Sequence, residues 1–139
     1  MDKLPNPLGR HLLLELYGCS APLLKDRAQL ETILLAAARA MEATVIESRF
    51  HTFQPYGVSG VVLIAESHLT IHTWPEHGYA AVDIFSCGPL HLKKGVELLQ
   101  ARLLPQRVEQ ITIQRGQLTP PDRPGTPIHR TFPKGRPEE

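Results

Sequence analysis

Residues 66–88, ESHLTIHTWPEHGYAAVDIFSCG, gather Ser67, three histidines, Cys87, Trp74 and three carboxylates among strand-like apolar residues. Serine, histidine and cysteine are the side chains of nucleophilic and acid–base chemistry, and histidine and cysteine are also common zinc ligands. His68 and His72 are four apart, so a regular strand puts them on one face, with His77 and Cys87 available to complete a tetrahedral set. No CxxC or HExxH spacing supports zinc, so no metal is expected. A cysteine hydrolase built on Cys87 lacks any nucleophile signature around that residue. Taken singly, Cys87 reads as a small buried hydrophobe, a lone histidine as a hydrogen-bonded structural residue, and Trp74 before Pro75 as a turn anchor. Chemistry has to come from the constellation.

The elements that must position these residues are readable from pattern. The chain has 139 residues, 42% hydrophobic and 21% charged, which suits one domain with a real apolar core. A formal net charge of +1 with no basic stripe argues against nucleic-acid binding. No apolar run approaches the ~18 residues of a membrane span. The opening residues lack the apolar stretch of a signal peptide, and two cysteines make no disulfide framework, so a cytoplasmic setting is expected. Residues 1–9 form a lead-in, 10–117 one domain, and 118–139 a proline-rich polar tail expected to wander over the surface or stay disordered.

Within the domain, strands are expected at 11–17, 44–53, 58–65, 68–74, 79–86 and 107–115. A helix is expected over 21–43, with Leu30, Ile33, Leu34, Ala37 and Met41 on one face. Its start has two candidates: Ser20 capping before Pro22, or Asp26 with Gln29 in capping-box position. A second helix around 90–104 presents Leu92, Val96, Leu99 and Leu103 despite Gly95. This pattern predicts an α+β fold, a two-layer sandwich of an antiparallel sheet with two helices on one face. The other sheet face has no cover in this chain, which points to a homodimer. Ser67 and His72 are five apart, on opposite faces of a flat strand, so a hairpin bend is expected at Glu66–His68.

The segment HTFQPYGVSGVVLIAESHLTIHTWPEHGYAAVDIFSCG (51–88) closely resembles the prokaryotic S-adenosylmethionine decarboxylases, and the likeness runs from GRHLLLELYGC (9–19) to QRG (114–116). These are pyruvoyl enzymes of spermidine biosynthesis, made as proenzymes that cut themselves at a Glu–Ser bond. The resemblance implies cleavage between Glu66 and Ser67 into chains 1–66 and 67–139, with Ser67 becoming the pyruvoyl group. Decarboxylation of an amino acid leaves a carbanion, and a carbonyl that forms a Schiff base accepts its electrons where side chains cannot.

The resemblance also assigns roles. His72 is the proton acceptor in processing, Ser59 assists near the intermediate, and Cys87 is the proton donor in catalysis. Phe53 and Trp74 are placed to bind the adenine and sulfonium of S-adenosylmethionine, and Glu76 to accept from the ribose hydroxyls. His77 receives no role, and Glu15 and Asp83 are pocket carboxylates without an assignment. An arginine or ornithine decarboxylase on the same scaffold is the nearest alternative, although Phe53, Trp74 and Glu76 favour the adenosyl substrate. The segment after Cys87, GPLHLKKG, is more basic than the family's acidic counterpart. An uncleaved metal-binding module is the distant alternative.

Overall fold

The computed structural model describes residues 7–118 and the backbone of 128–131. Strand β1 (Gly9–Tyr17) leads through a short helix α1 (Ala21–Leu24) into α2 (Arg27–Ala40). Strands β2 (Val45–Thr52), β3 (Val58–Ile64), β4 (Ser67–Trp74) and β5 (Tyr79–Ser86) follow. Helix α3 (Leu92–Leu103), β6 (Arg107–Arg115) and β7 (Ile128–Thr131) complete the order. The strands form one sheet in the order β2-β3-β4-β5-β1-β6-β7, and every pairing is antiparallel. No helix among the described residues is long and apolar enough to cross a membrane.

Alternation sets the layers. In β1, β4 and β5 every second residue is buried: Leu12, Leu14 and Leu16; Leu69 and Ile71; Ala80, Val82 and Ile84. They pack with Leu30, Leu34 and Ala37 of α2 and Val96, Leu99 and Leu103 of α3 in one core. Both long helices therefore cover the same sheet face, as expected. The intervening residues, including His11, Glu15, His68, Thr70, Asp83 and Phe85, are only partly buried and line the other face.

Two expectations are corrected. The helix over 21–43 is two helices, because both candidate caps are used. Ser20 Oγ accepts from Leu23 N–H at 3.5 Å to start α1, and Asp26, in extended conformation, accepts from Gln29 N–H at 3.0 Å to start α2. The sheet has seven strands rather than six, because residues 128–131 of the proline-rich tail pair with β6. The other tail residues, 119–127 and 132–139, and lead-in residues 1–6 lie outside the described residues.

Two glycines inside regular elements mark close approaches. A Cβ on Gly60 would stand 2.1 Å from the Phe50 ring across the β2–β3 pair, and one on Gly95 would stand 2.5 Å from Met41 Sδ. Gly95 lets α3 approach the end of α2, which explains a poor helix former in mid-helix.

Candidate active site

The β3–β4 connection is a two-residue turn, Ala65–Glu66, because Ile64 pairs directly with Ser67. The bend expected at Glu66–His68 falls earlier, at Ala65–Glu66, with Ser67 and His68 already paired inside β4, and it leaves Ser67 at φ 145°, a region that is essentially glycine-only. The turn is gripped from several sides. Ala65 N–H donates to Thr44 O at 2.8 Å, and Thr44 N–H donates to Glu66 Oε1 at 3.1 Å. Cys87, just past the end of β5, donates to the Glu66 carbonyl twice: through its backbone N–H at 2.9 Å and its thiol at 3.1 Å. The Ser67 hydroxyl lies 3.6 Å from the same sulfur. Ser86 holds the strand end by accepting from Gly88 N–H at 3.2 Å and donating to Gly88 O at 2.9 Å. Beside Cys87 opens a cavity of about 390 Å³ between Leu8, Arg10, Gly88 and Leu90.

A second group forms at the far end of the same two strands. Ser59 and His72 are directly opposed in the β3–β4 register, with Ser59 Oγ 2.7 Å from His72 Nδ1. They line a pocket of about 290 Å³ with Phe53, Tyr56, Trp74 and Glu76. The pocket exists because both strands end in tight turns. Phe53 N–H donates to Gly57 O at 2.8 Å, and a single 3-10 turn at Pro75–His77 closes on left-handed Gly78. Buried Thr73 fastens this end to the core, accepting from Val58 N–H and donating to Leu24 O, each at 2.9 Å. Phe53 and Trp74 stay 48% and 41% exposed, which leaves two large ring faces free for a ligand.

The residues singled out in the sequence thus fall into two sets. Glu66, Ser67 and Cys87 meet at the hairpin end; Ser59, His72, Phe53, Trp74 and Glu76 meet at the other. Ser67 and His72 are five positions apart along β4, roughly 17 Å at the rise of an antiparallel strand. One chain does not bring His72 to Ser67.

The uncovered face carries a third cluster. His11 Nε2 lies 2.7 Å from Asp83 Oδ2, and His68 Nε2 lies 3.9 Å from the same oxygen. This is the group of three metal-type ligands found among the described residues, and it does not include His72, His77 or Cys87. Arg115 Nη1 stands 3.4 Å from His11 Nδ1. An imidazole bound to metal through Nε2 carries a proton on Nδ1 and needs an acceptor there, whereas a guanidinium only donates. The cluster therefore reads as an Arg115–His11–Asp83 hydrogen-bonded chain. Glu15, on the same face, accepts from Tyr79 OH. Burial, then that bond to Glu15, push the Tyr79 phenol well above its usual range. Neither Glu15 nor Asp83 lines either cavity.

Sequence reasoning missed Tyr56 and Thr44. Tyr56 lies in QPYG, whose proline and glycine read only as a turn, and Thr44 acts through its backbone, which no residue type reveals.

Comparison with known proteins shows the family. The family profile for S-adenosylmethionine decarboxylase matches residues 10–116. An S-adenosylmethionine decarboxylase proenzyme from Caldanaerobacter subterraneus is 49% identical over 118 residues, covering 84% of this chain and 94% of the relative. The proenzyme of that name from Thermodesulfovibrio yellowstonii is 59% identical over 81 residues, covering 58% of this chain and 60% of the relative. The crystal structure of adenosylmethionine decarboxylase from Aquifex aeolicus superposes with a TM-score of 0.75 at 36% identity, covering 88% of this chain and all of that one. The chain belongs to the S-adenosylmethionine decarboxylase family.

Proposed function

We propose that this protein is a self-cleaving decarboxylase of S-adenosylmethionine that makes a pyruvoyl group from Ser67. The observation that carries the reading is the Glu66–Ser67 peptide itself. Its serine is held in a conformation that costs an L-residue about 1–3 kcal/mol, and its carbonyl accepts two hydrogen bonds from Cys87. Both features favour the same first step. Ser67 Oγ attacks the Glu66 carbonyl carbon, and the amide becomes an ester through a tetrahedral oxyanion. The Cys87 N–H and thiol, already on that oxygen, stabilise the charge as it develops.

A base then removes the Ser67 α-proton, and β-elimination releases chain 1–66 as a carboxylate. The dehydroalanine left at position 67 tautomerises to an imine, and water displaces ammonia from it. The resulting carbonyl supplies the electron sink for decarboxylation. Imidazole accepts and returns protons near neutral pH, which suits His72 as the base, and Ser59 Oγ orients its ring. A thiol is mostly protonated at neutral pH, which suits Cys87 as proton donor to the decarboxylated carbon. Phe53 and Trp74 offer stacking faces for adenine, with Glu76 beside them for the ribose hydroxyls.

A homodimer resolves the separation of the two sets. With open sheet faces opposed, one copy's Ser59, His72 and aromatic pocket reach the other copy's Ser67 and Cys87. The partly buried, aromatic-bearing sheet face with no cover among the described residues supports this pairing. The arginine or ornithine alternative is not favoured, because the relatives are named for S-adenosylmethionine.

Denaturing intact-mass spectrometry tests the reading. The expected result is two chains, 1–66 and 67–139, the second lighter by one ammonia than a serine-started chain, with CO₂ released from S-adenosylmethionine. A single uncut chain would contradict it.

A further inference from the structure

The hairpin turn raises a question that the reaction alone does not answer: what holds Ser67 in a conformation its own side chain disfavours. A residue at φ 145° relaxes unless its neighbours over-determine it. On the downstream side Ser67 is locked by the ladder, paired to Ile64 and Ser86. On the upstream side the fixtures are Thr44 and Cys87. Thr44 takes Ala65 N–H on its carbonyl and gives its own N–H to Glu66 Oε1 at 3.1 Å. The Glu66 carboxylate is thus tied to the segment that ends α2, twenty-two residues back in the chain, while the Glu66 carbonyl is tied to Cys87.

We infer that the Glu66 side chain is a positioning residue for self-cleavage. By accepting Thr44 N–H it holds the turn in the strained form in which the Ser67 hydroxyl and the Glu66 carbonyl meet at the Cys87 thiol. Without that anchor the turn rotates, Ser67 relaxes, and the carbonyl leaves its two donors. The inference rests on the cleavage reading above and assigns the carboxylate, rather than the scissile carbonyl, a separate task. It is a task of proenzyme processing: the bond needs an acceptor oxygen at the right reach, and neither the charge nor contact with substrate.

The test is the rate of cleavage of freshly synthesised full-length chain, followed by intact mass, for wild type, Glu66→Ala, Glu66→Asp and Glu66→Gln. Loss of a hydrogen bond of ordinary, uncharged strength slows cleavage of E66A about 10-fold. E66D keeps the charge but is one methylene short of Thr44, so it falls with E66A. E66Q keeps an acceptor oxygen at full length and stays within about threefold of wild type. A cooperative thermal melt of each uncut chain separates slow cleavage from misfolding. Wild-type rates in E66A, wild-type rates in E66D, or an E66Q as slow as E66A would each overturn the inference while leaving self-cleavage intact. An uncut wild-type chain would instead overturn the cleavage reading itself.

Discussion

The two ends of the β3–β4 ribbon are built from the same strands yet differ in kind. The hairpin end is tight: a two-residue turn, a strained serine and a carbonyl held by two donors from Cys87. The opposite end is open, with exposed rings around a pocket floored by the Ser59–His72 pair. The first is suited to breaking the chain's own peptide, and the second to receiving a flat, polar-edged ligand and moving a proton. The sheet holds the two sets a fixed distance apart within one chain, and the homodimer proposed above is what would close that distance.

The comparison is broken most sharply by removing the nucleophile. Ser67→Ala should abolish cleavage and leave a folded, uncut 139-residue chain, seen as one mass; cleavage in S67A would refute Ser67 as the reacting group. At the other end, Phe53→Ala or Trp74→Ala should leave cleavage complete and raise KM. Each lost stacking face is worth about 1–3 kcal/mol by analogy with base–aromatic contacts, or roughly 5- to 150-fold. Steady-state kinetics on fully cleaved protein checks this, and an uncut W74A or F53A would show that the two regions are not separable.

Smaller effects sharpen the contrast at the hairpin. Among uncleavable chains, Ser67→Gly should melt above Ser67→Ala. Glycine removes about 1–3 kcal/mol of backbone strain at φ 145°, against about 0.4–1 kcal/mol of added unfolded-state entropy. Equal or reversed melting temperatures would mean that Ser67 stores no strain. Smallest is a labelling difference between the two thiols. Cys19 is buried, and burial pushes its thiol up to about 11, whereas Cys87 is exposed. Alkylation of folded S67A at mildly alkaline pH should add one label, on Cys87; two labels would mean that the Cys19 thiol is accessible.

Much of the fold was legible because its signals are local. Alternation in YAAVDIFS and RVEQITIQR placed β5 and β6 to the residue, and the same alternation put both helices on one face. The break between α1 and α2 was legible only as two rival caps, since sequence does not say that both are used. Strand β7 was hidden because IHRT lies among prolines and gains its pairing only from β6. At the site, residue types and the family resemblance named the participants, while their partition into two sets required the register: Ser59 opposite His72, Ile64 opposite Ser67. The φ of Ser67 and the Thr44–Glu66 bond are products of tertiary packing, and no spacing encodes them.

The measurement that tests the account most directly is co-expression of Ser67→Ala and His72→Ala chains, read by intact mass. Neither homodimer has a complete cleavage set. A mixed dimer places the intact His72 of one chain against the intact Ser67 of the other. The account predicts that each variant alone stays uncut, and that co-expression yields the 1–66 and 67–139 fragments of the His72→Ala chain. Cleavage of His72→Ala alone at the wild-type rate, or two uncut chains in a verified mixed dimer, would contradict it.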